Sequence, residues 1–127
     1  MSLWKFGDFE AEVDFGDAGF MERVELAGEN IKKDFEALPK TGKESELLRA
    51  QNKVYDDFFD CIFGKGAAQQ MFGRSESLSK RLEAAGSIYD FKMGQVAQYS
   101  DMTDKFRVNK PVNREQRRYY QKKRDRR

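Results

Sequence analysis

The stretch "LLRAQNKVYDDFFDCIFG", residues 47–64, decides the fold. Leu47, Leu48, Val54, Tyr55, Phe58, Phe59 and Ile62 all fall within one broad face when the chain is wound at 3.6 residues per turn. The pattern predicts a helix over roughly 43–63, with Gly64 suited to the left-handed residue that closes it. Its density of aromatic rings makes it the element around which the others must pack.

Toward the N-terminus, Pro39 and Gly42 separate this helix from another. There Asp17 is a good N-cap, and Phe20, Val24, Ala27, Ile31, Phe35 and Leu38 follow at three- and four-residue intervals, predicting a helix over 18–37. Earlier still, "LWKFGDFEAEVDF" (residues 3–15) switches to a period of two, with Phe9, Ala11, Val13 and Phe15 on one side and Glu10, Glu12 and Asp14 on the other. Gly7-Asp8 sits where a tight turn reverses the chain onto Trp4 and Phe6. A short hairpin, or one strand seeking an edge, is expected. An isolated hairpin is marginal in water, so it must pack on helices or pair with another chain.

Toward the C-terminus, "AAQQMFG" (residues 67–73) reads as a brief helical turn. Ser75 or Ser77 then caps a third long helix whose apolar face is expected to be Leu78, Leu82, Ala85, Tyr89, Met93 and Val96. Gly86 and Gly94 weaken it. Pro111 favours extended backbone at Lys110, and Asn113, with Gln116 three residues on, caps a short final helix. The expected fold is mainly α: three main helices plus a short C-terminal helix, with a short N-terminal β-hairpin or strand.

Charge divides the chain. Residues 1–104 hold 20 acidic against 13 basic side chains, net −7, whereas residues 105–127 hold 11 Lys or Arg against Glu115 and Asp125, net +9. The expectation is an acidic helical domain over 1–104 and a basic tail, partly helical or disordered, over 105–127. The apolar runs are far too short to span a bilayer, and no membrane partner is expected. One cysteine among 127 residues allows no internal disulfide, which fits a reducing, cytoplasmic setting.

The chain has no histidine. That removes the commonest general base and the most frequent transition-metal ligand, so no catalytic residue, metal or cofactor is expected. Asp56 and Asp60 lie one helical turn apart, but their reading is a solvated face with Lys53 in reach of Asp56 and Asp57. "DFGDAGFMERVE" (residues 14–25) imitates a calcium loop at Asp14, Gly19 and Glu25, yet Gly16 and Ala18 stand where ligand oxygens belong, so it reads as a strand-to-helix turn. "FGKGAA" lacks the spacing of a phosphate loop. Cys61, flanked by Ile62, reads as a small hydrophobe in or near the core.

Two groups remain. Tyr55, Phe58, Phe59, Phe63 and Phe72 are more aromatic surface than a three-helix core needs; they either fill a thin core or serve a protein interface. In the tail, Arg114, Arg117 and Arg118 share one helical side, Tyr119 and Tyr120 adjoin them, and Lys122, Lys123 and Arg124 extend the charge. Such a segment contacts acidic protein surfaces, or binds nucleic acid non-specifically.

The order of "VDFGDAGF", "LPKTGKESELLRAQNKVYDDFFDCIFGKGAAQQMFG", a long helix and "VNREQRR" resembles a family of small proteins encoded among the tail genes of siphoviruses and prophages of Gram-positive bacteria. The resemblance implies a tail assembly chaperone without catalytic chemistry, binding the tape-measure and tail-tube proteins in the host cytoplasm, with a homo-oligomer as one form it can take. The alternatives are a nucleic-acid-binding accessory protein and a minor virion component.

Overall fold

A computed structural model describes residues 2–107 of the chain. The short helix expected after Asn113, and the tail residues Arg114, Arg117, Arg118, Lys122, Lys123 and Arg124, lie outside the described residues. Strands β1 (Leu3–Phe6) and β2 (Phe9–Glu12) precede helices α1 (Ala18–Glu36), α2 (Glu44–Phe63), α3 (Ala67–Phe72) and α4 (Leu78–Arg107). The fold is mainly helical with an N-terminal hairpin, as the residue patterns imply. The chain divides after Val96 into two units.

In the first unit, the strands pair antiparallel with Phe6 opposite Phe9 and Trp4 opposite Ala11. That register leaves Gly7-Asp8 as a two-residue turn, and Gly7 takes φ +59° while Asp8 does not turn positive. A positive φ at the first central position alone is the II′ pattern, whose twist matches that of the strands. The period of two then does its work: Trp4, Phe9 and Val13 are buried, while Lys5, Glu10, Glu12 and Asp14 face water.

Asp17 caps α1 as expected, its Oδ2 accepting from the Phe20 N–H at 2.8 Å. Helices α1 and α2 run antiparallel, since Arg23 near the start of α1 donates from Nε to the Ile62 carbonyl at 3.2 Å, while Phe35 near its end meets Tyr55 edge-on at 5.5 Å. Gly64 has φ +107° but ψ 159°, so it closes α2 in an extended conformation open to glycine rather than in the left-handed helical one. The left-handed residue is Gly66, which leads into α3.

The core is an aromatic stack centred on Trp4. Its ring lies nearly parallel to Phe63 at 5.4 Å and to Phe59 at 6.4 Å, and meets Phe9 edge-on at 6.2 Å. Phe72 closes the cluster against both Phe6 (5.6 Å) and Phe59 (5.8 Å). Such ring pairs add roughly 0.5–1.5 kcal/mol each beyond their burial. The hairpin thus packs on helices α2 and α3, which gives it the support that two strands alone lack.

Candidate functional site

Helix α4 presents the other side of the core, and its sequence offers two stripes at helical spacing. One is Leu82, Ala85, Tyr89, Met93 and Val96; the other is Arg81, Ala84, Ile88, Phe91 and Gln95. Apolar content favours burying the first. The structure buries the second: Arg81, Ala84, Ile88 and Gln95 are all buried, and Phe91 packs against the core. The expectation that Leu82, Tyr89, Met93 and Val96 face the core is therefore corrected.

The polar members of the inner stripe are buried because each finds complete partners. Arg81 donates from Nε to Asp56 Oδ1 at 3.0 Å and from Nη2 to Oδ2 at 3.3 Å, and its Nη1 reaches the Ser75 and Ser77 carbonyls at 2.7 and 3.0 Å. Its guanidinium carbon also lies 4.4 Å from the centre of the Phe72 ring. The planar fork of arginine suits a carboxylate met side-on, and the stacked ring replaces water on one face. Gln95 uses both ends of its amide, donating from Nε2 to the Val13 carbonyl at 2.6 Å and accepting at Oε1 from the Phe15 N–H at 2.8 Å. It extends the backbone pairing of the hairpin where β2 ends. Between them, Ser87 Oγ accepts from Trp4 Nε1 at 3.0 Å. Ser77, rather than Ser75, caps α4, its Oγ accepting from the Lys80 N–H at 3.4 Å.

Of the outer stripe, Ala85 packs against the core and the other four members are left to solvent. Tyr89 is 61% exposed, Leu82 50%, Met93 48% and Val96 43%. Gly86 beside them has open space where a side chain would stand. In the second unit, Met102 and Phe106 are exposed one turn apart, and Thr103 Oγ1 donates back to the Tyr99 carbonyl at 2.8 Å. Elsewhere in the first unit, Leu26 and Leu48 are also half-exposed.

The aromatic residues singled out in the sequence divide. Phe59 and Phe72 are buried in the Trp4 cluster, so their rings are core and present no surface to a partner. Tyr55, Phe58 and Phe63 are half-buried and pack against that core. The residues that reasoning from sequence missed as surface are those of the α4 outer stripe. The only signal was the rival series with Ala84, Ile88 and Phe91 at the same spacing.

Asp56 and Asp60 are structural rather than a solvated face. Asp56 holds Arg81, and Asp60 Oδ1 accepts from the Ala68 N–H at 2.9 Å, joining α2 to α3. Lys53 pairs with Asp57 at 3.4 Å, an exposed contact of little energetic weight. Asn52 Nδ2 donates to the Glu76 carbonyl at 2.6 Å, tying the segment before α4 to α2. Residues 14–17 form the strand-to-helix turn, with the Asp17 N–H on the Asp14 carbonyl at 3.1 Å. Cys61 is half-buried against the core. Among the described residues, no helix is long and apolar enough to cross a membrane.

Fold and surface together define a small helical protein that braces an aromatic hairpin and presents one apolar helix face. Residues 7–121 match DUF6673, a family of unknown function, and the chain belongs to that family. Neither a curated protein nor a solved structure matches it.

Proposed function

We propose that this protein is a non-enzymatic assembly chaperone of a phage tail, which shields apolar segments of the tape-measure protein and engages tail-tube subunits before they polymerise. The observation that carries the reading is the orientation of α4: buried Arg81 and Gln95 occupy its inner face while Leu82, Tyr89, Met93 and Val96 stand outside. A lone exposed leucine is ordinary, but an aligned row of apolar residues across four turns is the kind of surface that protein partners cover. An amphipathic segment laid along such a row anchors at every third or fourth residue. The resemblance of "FFDCIFGKG" and "VNREQRR" to tail-gene proteins supplies the identity of the client.

Co-expression with a tape-measure fragment tests this. The fragment stays soluble and co-purifies with the wild-type chain, and the Leu82→Glu/Val96→Glu variant loses it; equal recovery with both proteins contradicts the reading. The net +9 charge of residues 105–127 supports a second reading, non-specific nucleic-acid binding. It requires that removing residues 109–127 abolish retention of DNA or RNA, with affinity falling steeply as salt rises.

A further inference from the structure

We infer that residues 78–96 of α4 form a strap that opens as a unit while the hairpin, α1, α2 and α3 stay folded, uncovering one side of the Trp4 cluster. The ring contacts of the core join those other elements to one another: Trp4 to Phe63 and Phe59, Phe6 to Phe72, Phe20 to Phe63, and Phe59 to Phe72. Helix α4 buries Ala84 and Ile88 in this core and packs Ala85 and Phe91 partly against it. The rest of its hold is polar. Arg81 binds Asp56 and the Ser75 and Ser77 carbonyls, Ser87 accepts from the Trp4 indole, and Gln95 bonds the backbone of Val13 and Phe15.

Water replaces these two kinds of contact unequally. When α4 lifts away, the guanidinium, the hydroxyl and the amide regain hydrogen bonds from solvent, so each favours closure only by a small net advantage. The attraction between Arg81 and Asp56 is likewise largely offset by the desolvation of both charges. Separating packed rings exposes large apolar surface with nothing in exchange. The opening of lowest free energy is therefore the release of α4, which leaves the rings together. Its outer row adds little to closure, since Leu82, Tyr89, Met93 and Val96 already meet solvent in the closed state. The hinge is set by α2. Asn52 Nδ2 holds the Glu76 carbonyl at 2.6 Å and Arg49 pairs with the Glu76 carboxylate at 3.2 Å, so the chain up to Glu76 stays on α2 and movement begins at Ser77. Opening uncovers the sides of Trp4, Phe15 and Phe72 that lie against Ser87, Lys92 and Arg81. The strap does not rest on the chaperone reading, because it is measured on the protein alone.

Native-state amide exchange of the full chain in increasing, sub-denaturing urea tests this. The amides of residues 88–95 should exchange at least about tenfold faster than those of residues 58–62 in α2, with a shared but weaker dependence on urea. Phe35→Ala supplies the decisive contrast, because Phe35 meets Tyr55 of α2 and that contact persists when α4 opens. The variant should accelerate exchange across residues 58–62 by about tenfold and leave residues 88–95 within about twofold of wild type. Acceleration of both segments by the same factor, or equal rates in the wild-type chain, overturns the strap, since α4 then leaves only with the whole body. Exchange of residues 88–95 that is indifferent to urea overturns it as well, because it marks local fluctuation in place of one moving unit.

Discussion

Arg81 and Leu82 are neighbours on α4, yet Arg81 is 4% exposed and Leu82 is 50% exposed. The arrangement inverts what their solvation alone dictates. It stands because Arg81 meets a carboxylate, two carbonyls and a ring face, so that little of its hydrogen-bonding capacity is lost on leaving water. Leu82 forfeits its burial in exchange, and so do Tyr89, Met93 and Val96. A helix turned this way holds the body together with one side and leaves the other to solvent.

Substitution should therefore invert the usual order of costs. Arg81→Ala leaves Asp56 without its partner and frees the Ser75 and Ser77 carbonyls, and should cost about 2–4 kcal/mol in urea unfolding. Leu82→Ala, at a half-exposed position, should cost less than about 1 kcal/mol. Equal costs, or a larger one at Leu82, would place the leucine inside.

Gln95→Leu preserves volume and raises hydrophobicity, yet it should destabilise by about 2–3 kcal/mol, because the Val13 carbonyl and the Phe15 N–H both lose their partner in a partly buried place. Amide exchange at Phe15 should accelerate more than at the Trp4–Ala11 pair inside the hairpin. Uniform acceleration would show that Gln95 does not anchor this backbone locally.

Phe59→Ala removes a fully buried ring that touches Trp4, Phe58 and Phe72, and should cost about 3–5 kcal/mol. Its effect on any partner should follow from unfolding alone. A variant that keeps its melting temperature but loses a partner would return Phe59 to the interface.

Gly7→Ala should cost about 1–2 kcal/mol by thermal unfolding, since Gly7 has φ +59° and a Cβ there lies 3.3 Å from the Met71 carbonyl oxygen. The turn conformation and the closeness of α3 both penalise the methyl. An unchanged melting temperature would mean that the turn readily adopts another form.

Local patterns made most of the fold legible. The alternation over Phe9–Phe15, the glycine at the turn, the Asp17 cap and the aromatic face of α2 each act through residues within a few positions of one another. The face of α4 was illegible for the opposite reason. Arg81 and Gln95 look like surface residues by type, and what reverses that is a carboxylate 25 positions away and a carbonyl 82 positions away. The aromatic set was half legible: its size was plain, but only the position of Trp4 decides that Phe59 and Phe72 are interior. Ser77 as the cap of α4 could be narrowed to two serines and no further, since both have the right side chain.

Thiol labelling tests the orientation of α4 most directly. In a Cys61→Ala background at sub-micromolar concentration, single cysteines at positions 82, 84, 88 and 96 report which side of the helix meets water. Leu82→Cys and Val96→Cys should react at close to the rate of an unfolded chain, and Ala84→Cys and Ile88→Cys at least a hundredfold more slowly. Protection of positions 82 and 96 with rapid labelling at 84 and 88 would contradict the account.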